Sequence, residues 1–228
     1  MTAPIMPGRF AESMELEALP RIAPEEEFPF VCAGCGDCCR ARRDILLSGL
    51  DLYRLARRLG LPPRTVAEAF CRETPGTLPG LRLMPSRRSG NCPFLDGGGC
   101  AVHDARPLAC ALYPLGQAID LETLRTEYYI QPPLCGVRVP GRTLQNYLED
   151  SGVLERAGTD AFWARSCAAL LRRLEGVQHY PRAAVRNCLL RALYYDYDFR
   201  DDFQPQFNAN LARLEPLLSR LLGETQRP

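Results

Sequence analysis

A chain of 228 residues, 46% of them hydrophobic, can bury a core without staples, and its formal charge of +1 supplies no basic field for nucleic acid. All 28 basic residues are arginine, which excludes a Walker-type phosphate lysine, a Schiff-base lysine and a lysine general base. Two histidines, His103 and His179, supply histidine-rich metal sites and serine–histidine networks poorly, whereas 11 cysteines are many for this length.

Residues 1–27 read as a flexible tail, with Pro4, Pro7, Pro20, Pro24 and the Glu25–Glu27 run. This segment lacks the basic start and apolar core of a secretory leader, and no apolar run in the chain approaches membrane-spanning length. The expected location is therefore cytoplasmic and off the membrane. Thiols stay reduced there, so clustered cysteines point to metal rather than disulfides. Residues 28–141 hold eight clustered cysteines. Within them Ser48 is placed to cap a helix running to Gly60, with Leu52, Leu55, Ala56 and Leu59 on one face. Pro62 and Pro63 open a second helix to about Glu73. Leu81–Met84 reads as a strand, and Ala118–Leu121 with Leu124–Ile130 as a hairpin around Glu122–Thr123. Residues 142–228 are helical in pattern: Thr143–Leu154, Thr159–Leu174, Arg182–Tyr195 and Asn208–Leu222. The last carries an apolar stripe of Leu211, Leu214, Leu217, Leu218, Leu221 and Leu222. The expected fold class is α+β, mainly α. A loop-rich cysteine domain with a small antiparallel sheet precedes a helical C-terminal region.

The run Cys32-Ala-Gly-Cys35-Gly-Asp-Cys38-Cys39 carries the strongest chemical signal. Two-residue spacing lets successive thiolates turn toward one centre, and Gly34 and Gly36 permit the tight backbone this needs. Backbone N–H groups in such a loop can donate to sulfur. Three cysteines at this spacing match the start of a bacterial ferredoxin run, but the fourth member before proline is absent; a Cys-x2-Cys pair equally suits structural zinc. In an extended segment the neighbours Cys38 and Cys39 would face opposite sides, so the simpler expectation is two sites or one free thiol. Cys92, Cys100, Cys110 and Cys135 follow in loop-like surroundings, completing a set of eight. Cys71, Cys167 and Cys188 lie among apolar neighbours in expected helices and read as core packing.

Several further features are weaker. His103-Asp104 reads first as a loop histidine and second as a mixed-ligand site member. Arg106 is a candidate for offsetting thiolate charge from outside the ligand sphere. Arg40, Arg42 and Arg43 read mainly as a solvated face. The carboxylates and aromatics from Tyr194 to Phe203 read as a helix end whose rings pack on the cysteine domain, ahead of a cation site.

Taken together, Cys32–Cys39, Ile45-Leu46-Leu47-Ser48 with Asp51, Leu55 and Leu59, Cys92-Pro93-Phe94-Leu95, Cys100, Arg106-Pro107, Cys110 and Tyr113-Pro114 resemble the YkgJ-type cysteine-cluster proteins, described as zinc- or iron-chelating. The resemblance covers roughly residues 30–148. It implies metal binding at Cys32, Cys35, Cys38, Cys39, Cys92, Cys100 and Cys110, with Cys135 as an eighth. Ala111 and Tyr113 stand where that family often has arginine and phenylalanine. Flagellin lysine methylases look similar in their cysteine region, which makes a modification enzyme conceivable, but no reaction is assigned. The expected cofactor is an iron–sulfur cluster or zinc. The expected function is metal binding in support of redox or modification chemistry. The alternatives are a zinc-stabilised protein-interaction module without catalysis, and metal storage or delivery. The expected partner is a protein or a small molecule.

Overall fold

The computed structural model describes residues 18–40, 45–97, 99–133 and 135–223. In chain order their elements are β1 (Arg21–Ile22), β2 (Phe30–Val31), a 3-10 turn (Asp37–Cys39), β3 (Leu46–Leu47), α1 (Gly49–Leu59), α2 (Pro63–Phe70), β4 (Cys71–Thr74), β5 (Gly80–Leu83), β6 (Leu95–Asp96), β7 (Gly99–Cys100), a second 3-10 turn (His103–Ala105), α3 (Leu108–Ala111), β8 (Leu115–Ile119), β9 (Thr126–Ile130), β10 (Val137–Arg138), α4 (Leu144–Asp150), α5 (Val153–Glu175), α6 (Arg182–Leu190), a π-wound segment (Arg191–Tyr195) and α7 (Phe203–Leu221). The strands form small sheets, in the orders β1-β9-β8, β10-β2, β3-β5-β4 and β6-β7. The architecture is the mainly helical α+β class expected. No helix among the described residues is long and apolar enough to cross a membrane.

The chain divides into two discontinuous units. One runs to Ile45 and resumes from Leu83 to Ala161; the other takes Leu46–Arg82 and everything from Phe162 onward. The dividing point 161/162 lies inside α5.

In the first unit the β8–β9 hairpin pairs Leu115 with Ile130 through to Ile119 with Thr126. Its turn is closed by the Asp120 carboxylate, which accepts the Glu122 and Thr123 N–H groups at 2.8 and 2.9 Å. Such a carboxylate replaces the ladder partners that a tight turn loses. Arg21–Ile22 correct the expected tail: they pair with Tyr129 and Tyr128 as an edge strand. The proline-rich composition obscured this, yet Ile22 is an apolar side chain with a core to enter, and it is buried. Residues 1–17, the rest of that tail, lie outside the described residues. The core gathers Ile22, Phe28, Phe30, Leu112, Leu115, Tyr128, Leu144, Tyr147 and Leu148. α4 starts where Thr143 and Asn146 cap each other's backbone N–H groups, and so presents Leu144, Tyr147 and Leu148 to that core.

In the second unit the expected cap is present. Ser48 Oγ accepts the Asp51 N–H and the Asp51 carboxylate accepts the Ser48 N–H, both at 3.0 Å, while Gly60 ends α1 at φ 66°. Leu52, Leu55 and Ala56 are fully buried. Gly49 has no room for a side chain: a Cβ there would lie 2.2 Å from the Leu193 carbonyl oxygen. α2 stops at Phe70 rather than Glu73. Cys71 turns extended, and Cys71–Thr74 join the β3-β5-β4 sheet, so strand pairing overrides the helical preference of Arg72 and Glu73. Leu214, Leu218 and Leu222 of the C-terminal stripe are buried and Leu217 is exposed. The aromatic segment packs as a helix end, but its rings meet Tyr53, Trp163 and Phe207 of this second unit rather than the unit that holds the clustered cysteines, where they were expected. Tyr197 stacks on Phe203 at 4.9 Å, and Phe203 meets Tyr53 of α1 at 5.4 Å. Asp196 and Asp198 are engaged by Arg191 and Arg200, which argues against a cation site there.

Candidate metal centre

Gly34 and Gly36 take left-handed backbone, at φ 66° and 74°, and bend the chain after Cys32 and again after Cys35. Gly36 then caps the 3-10 turn Asp37–Cys39, whose closing bond runs from the Cys39 N–H to the Gly36 carbonyl at 2.9 Å. This turn corrects the expectation that Cys38 and Cys39 face opposite sides. A 3-10 turn rotates successive side chains by roughly 120° rather than the 180° of a strand. Both residues therefore line the same cavity, with their Sγ atoms 4.0 Å apart.

The second cysteine segment is laid on the first by backbone bonding, since the Cys92 N–H donates to the Cys39 carbonyl at 3.0 Å. The β6–β7 hairpin then pairs Leu95 with Cys100 and returns the chain to the cavity. Gly99 passes close over the knuckle, where a Cβ would stand 3.6 Å from the Gly34 carbonyl oxygen. α3 supplies Cys110, one turn after Pro107. Cys32, Cys38, Cys39, Cys92, Cys100 and Cys110 thus line a single cavity of about 50 Å³, walled on its apolar side by Leu83, Phe94, Val102, Tyr113 and Tyr147. Cys35 and Cys135 do not line it. They contact each other, and the Cys135 sulfur accepts the Cys38 N–H. All eight cysteines of the expected set are thereby gathered around the one knuckle. Among the described residues, however, no three His, Cys, Asp or Glu side chains are so placed that they could hold a metal ion as they stand.

The electrostatics suit a cationic centre. Cys39 is drawn down by contact with Cys38, but contact with Cys92, burial and the nearby Cys92 and Cys100 outweigh this and push it up to about 11. Cys92 is lowered by its contact with Cys39 and by the Phe94 N–H, against its own burial. Contact between the two thiols thus moves them in opposite directions, Cys92 down and Cys39 up. Burial raises Cys100, opposed by the Val102 N–H and by Arg106. Burial and contact with Cys35 raise Cys135 to about 11. Crowded thiols that resist ionising together are a donor set that a divalent or trivalent soft metal would relieve. The 4.0 Å separation also fits: two thiolates on one tetrahedral zinc, with Zn–S bonds of about 2.3 Å, stand roughly 3.8 Å apart. Of the N–H donors to sulfur, Cys38 belongs to the knuckle as expected, and Phe94 and Val102 add two from the second cysteine segment.

Arg106 reaches this cavity from Pro107's side and bonds His103 Nε2 through Nη1 at 2.6 Å. A guanidinium can only donate, so Nε2 accepts and His103 is neutral with its proton on Nδ1. Burial and then Arg106 lower its pKa accordingly, against Asp104. The ring nitrogen facing Arg106 is thereby occupied, in keeping with a loop histidine rather than a ligand. Arg42 and Arg43 lie outside the described residues. Tyr113 entered the sequence reading only as part of the Tyr113-Pro114 motif, and Tyr147, in the run Gln145-Asn146-Tyr147-Leu148-Glu149, carried no chemical signal.

Cys71 and Cys167 are buried and Cys188 is half-buried, all in the second unit. Burial alone pushes Cys71 and Cys167 up to about 12. Their native pKa lies above the unfolded value of 9.0, so the stability they contribute is complete below about pH 9 and is lost as pH rises toward 12. Cys167→Ala is accordingly expected to leave metal content unchanged and to flatten the alkaline fall in melting temperature. Metal analysis and melts from pH 8 to about 11 check both, and metal loss would place Cys167 in the centre.

A cavity lined by cysteines, on a glycine-bent knuckle and with N–H groups aimed at sulfur, defines a thiolate metal-chelating domain. Residues 31–136 match the model of the CxxCxxCC family, described as "Putative zinc- or iron-chelating domain". The match bears out the resemblance drawn from the motifs. No curated protein and no solved structure matches the chain.

Proposed function

We propose that the chain is a metalloprotein whose centre holds more than one metal ion on the eight thiolates Cys32, Cys35, Cys38, Cys39, Cys92, Cys100, Cys110 and Cys135. The observation that carries this is number and place. Six cysteines line one cavity and two more adjoin its knuckle, twice the four thiolates that a closed mononuclear zinc site uses. An iron–sulfur cluster bound there would supply one-electron chemistry, and zinc would supply a fixed scaffold. The protein's own contribution is separate from the metal's identity. The apolar wall excludes water, N–H groups stabilise the sulfurs, and Arg106 offsets their charge. With iron the centre supports redox or modification chemistry; with zinc the domain is an interaction module.

Elemental and sulfide analysis with an ultraviolet–visible spectrum, on protein purified without oxygen, tests the proposal. About two or more metal ions per chain are expected. Iron with sulfide and a broad brown absorbance selects the cluster, and colourless protein with two zinc ions selects the scaffold. One metal ion per chain, or none after reconstitution, rejects the polynuclear centre.

A further inference from the structure

The family segment ends at residue 136, yet the cavity's wall is completed by Tyr147 of α4. Tyr147 is 4% exposed. Its ring is held edge-on by Phe28 at 5.2 Å and Phe30 at 5.7 Å. Its hydroxyl lies 2.9 Å from the Ala111 carbonyl and 2.6 Å from the Tyr113 carbonyl. Both carbonyls lie on the C-terminal side of Cys110, at the end of the turn that carries it: Ala111 is the next residue, and Tyr113 is itself a wall of the cavity. α3 is only four residues long and cannot hold its own orientation through helical bonding. The phenol is a shared donor to both carbonyls and can serve them only while protonated. Burial keeps it so, by raising its pKa well above the usual tyrosine range against the pull of Arg106.

We infer that Tyr147 is a positioning residue of the metal centre, pinning the Cys110 turn through its hydroxyl and sealing the cavity with its ring. This rests on the metal-centre reading above, and it extends the functional unit beyond the family segment into α4. It also separates the two jobs of the side chain, since phenylalanine keeps the ring and loses only the hydroxyl.

The test compares Tyr147→Phe with Tyr197→Phe in the full-length chain. Tyr197 is likewise buried and donates to one carbonyl, Ala192, at 2.7 Å, but it belongs to the second unit. It reports what loss of a buried tyrosine hydrogen bond does to stability alone. Two readouts are used. One is the rate at which iodoacetamide alkylates Cys110 in metal-free protein, followed by peptide mass spectrometry. The other is the thiolate-to-metal charge-transfer band after cobalt(II) substitution. Tyr147→Phe is expected to speed Cys110 alkylation about tenfold and to shift or weaken the cobalt band, while Tyr197→Phe moves neither. If Tyr147→Phe only lowers the melting temperature, as Tyr197→Phe does, the positioning role is overturned. If the wild-type chain takes up no cobalt, the metal-centre reading fails on its own, and Cys110 alkylation still decides whether Tyr147 holds the turn. Should Tyr147→Phe fail to fold, Tyr147→Trp, which keeps a ring and a donor, is expected to restore slow Cys110 alkylation; fast alkylation in that folded variant overturns the inference.

Discussion

Cys38→Ser and Cys92→Ser are each expected to weaken metal binding by more than about 100-fold, because even changes outside the ligand sphere cost roughly 10–100-fold. The two positions test different halves of the site. Cys38 sits in the 3-10 turn, with its sulfur 4.0 Å from that of Cys39 and its N–H on Cys135. Cys92 arrives from the second segment, with its thiol in contact with that of Cys39. Serine keeps the size and removes the soft donor, so the loss reports coordination rather than packing. Metal binding and the ordering of this unit are coupled, so the same variants should lower the melting temperature of metal-loaded protein and leave the metal-free melt nearly unchanged. Chelator competition followed by metal analysis provides the measurement, with Cys188→Ser as the control. Wild-type affinity in Cys38→Ser would remove it from the ligand set.

Arg156→Leu is expected to destabilise the first unit by about 3–5 kcal/mol, the usual result of removing one member of a buried ion pair. Arg156 and Asp160 face each other one turn apart on α5, at 2.6 and 2.9 Å through two parallel bonds, and their side chains are only 3% and 5% exposed. Leucine in place of the arginine takes both of these charge-assisted bonds away from a buried carboxylate. The double variant Arg156→Leu/Asp160→Leu should recover most of the loss, because the apolar pair avoids the desolvation cost that both charges carry. Urea unfolding of the four proteins completes the cycle. Equal losses in the single and double variants would mean that packing, not charge, sets the effect.

Local signals in the chain were legible where the chemistry is local. Ser48, Asp51 and Gly60 mark their helix by capping, and Asp120 with Thr123 marks its hairpin, because those bonds form between near neighbours. The eight clustered cysteines could be separated from the three others by knuckle spacing and loop surroundings on one side and apolar helical neighbours on the other, and the structure keeps that separation by unit. What could not be read depends on distant partners. Ile22 joins a strand supplied by residues 126–130, Cys71 leaves its helix for a sheet, and Tyr147 reaches carbonyls more than thirty residues away. The facing of Cys38 and Cys39 was misjudged because an extended backbone was assumed where Gly36 starts a turn.

The interleaving of the two units bears on how the protein is made. A chain emerging from the ribosome presents everything the metal unit needs once Ala161 is out. The apolar faces of α1 and α2, with Leu52, Leu55 and Val66, emerge far earlier but belong to a unit whose other helices come last. At synthesis rates of about 5–20 residues per second, Phe162 to the end takes roughly 3–13 s. During that interval every residue of the thiolate unit is already available, while the apolar faces of residues 46–82 still wait for the helices that cover them.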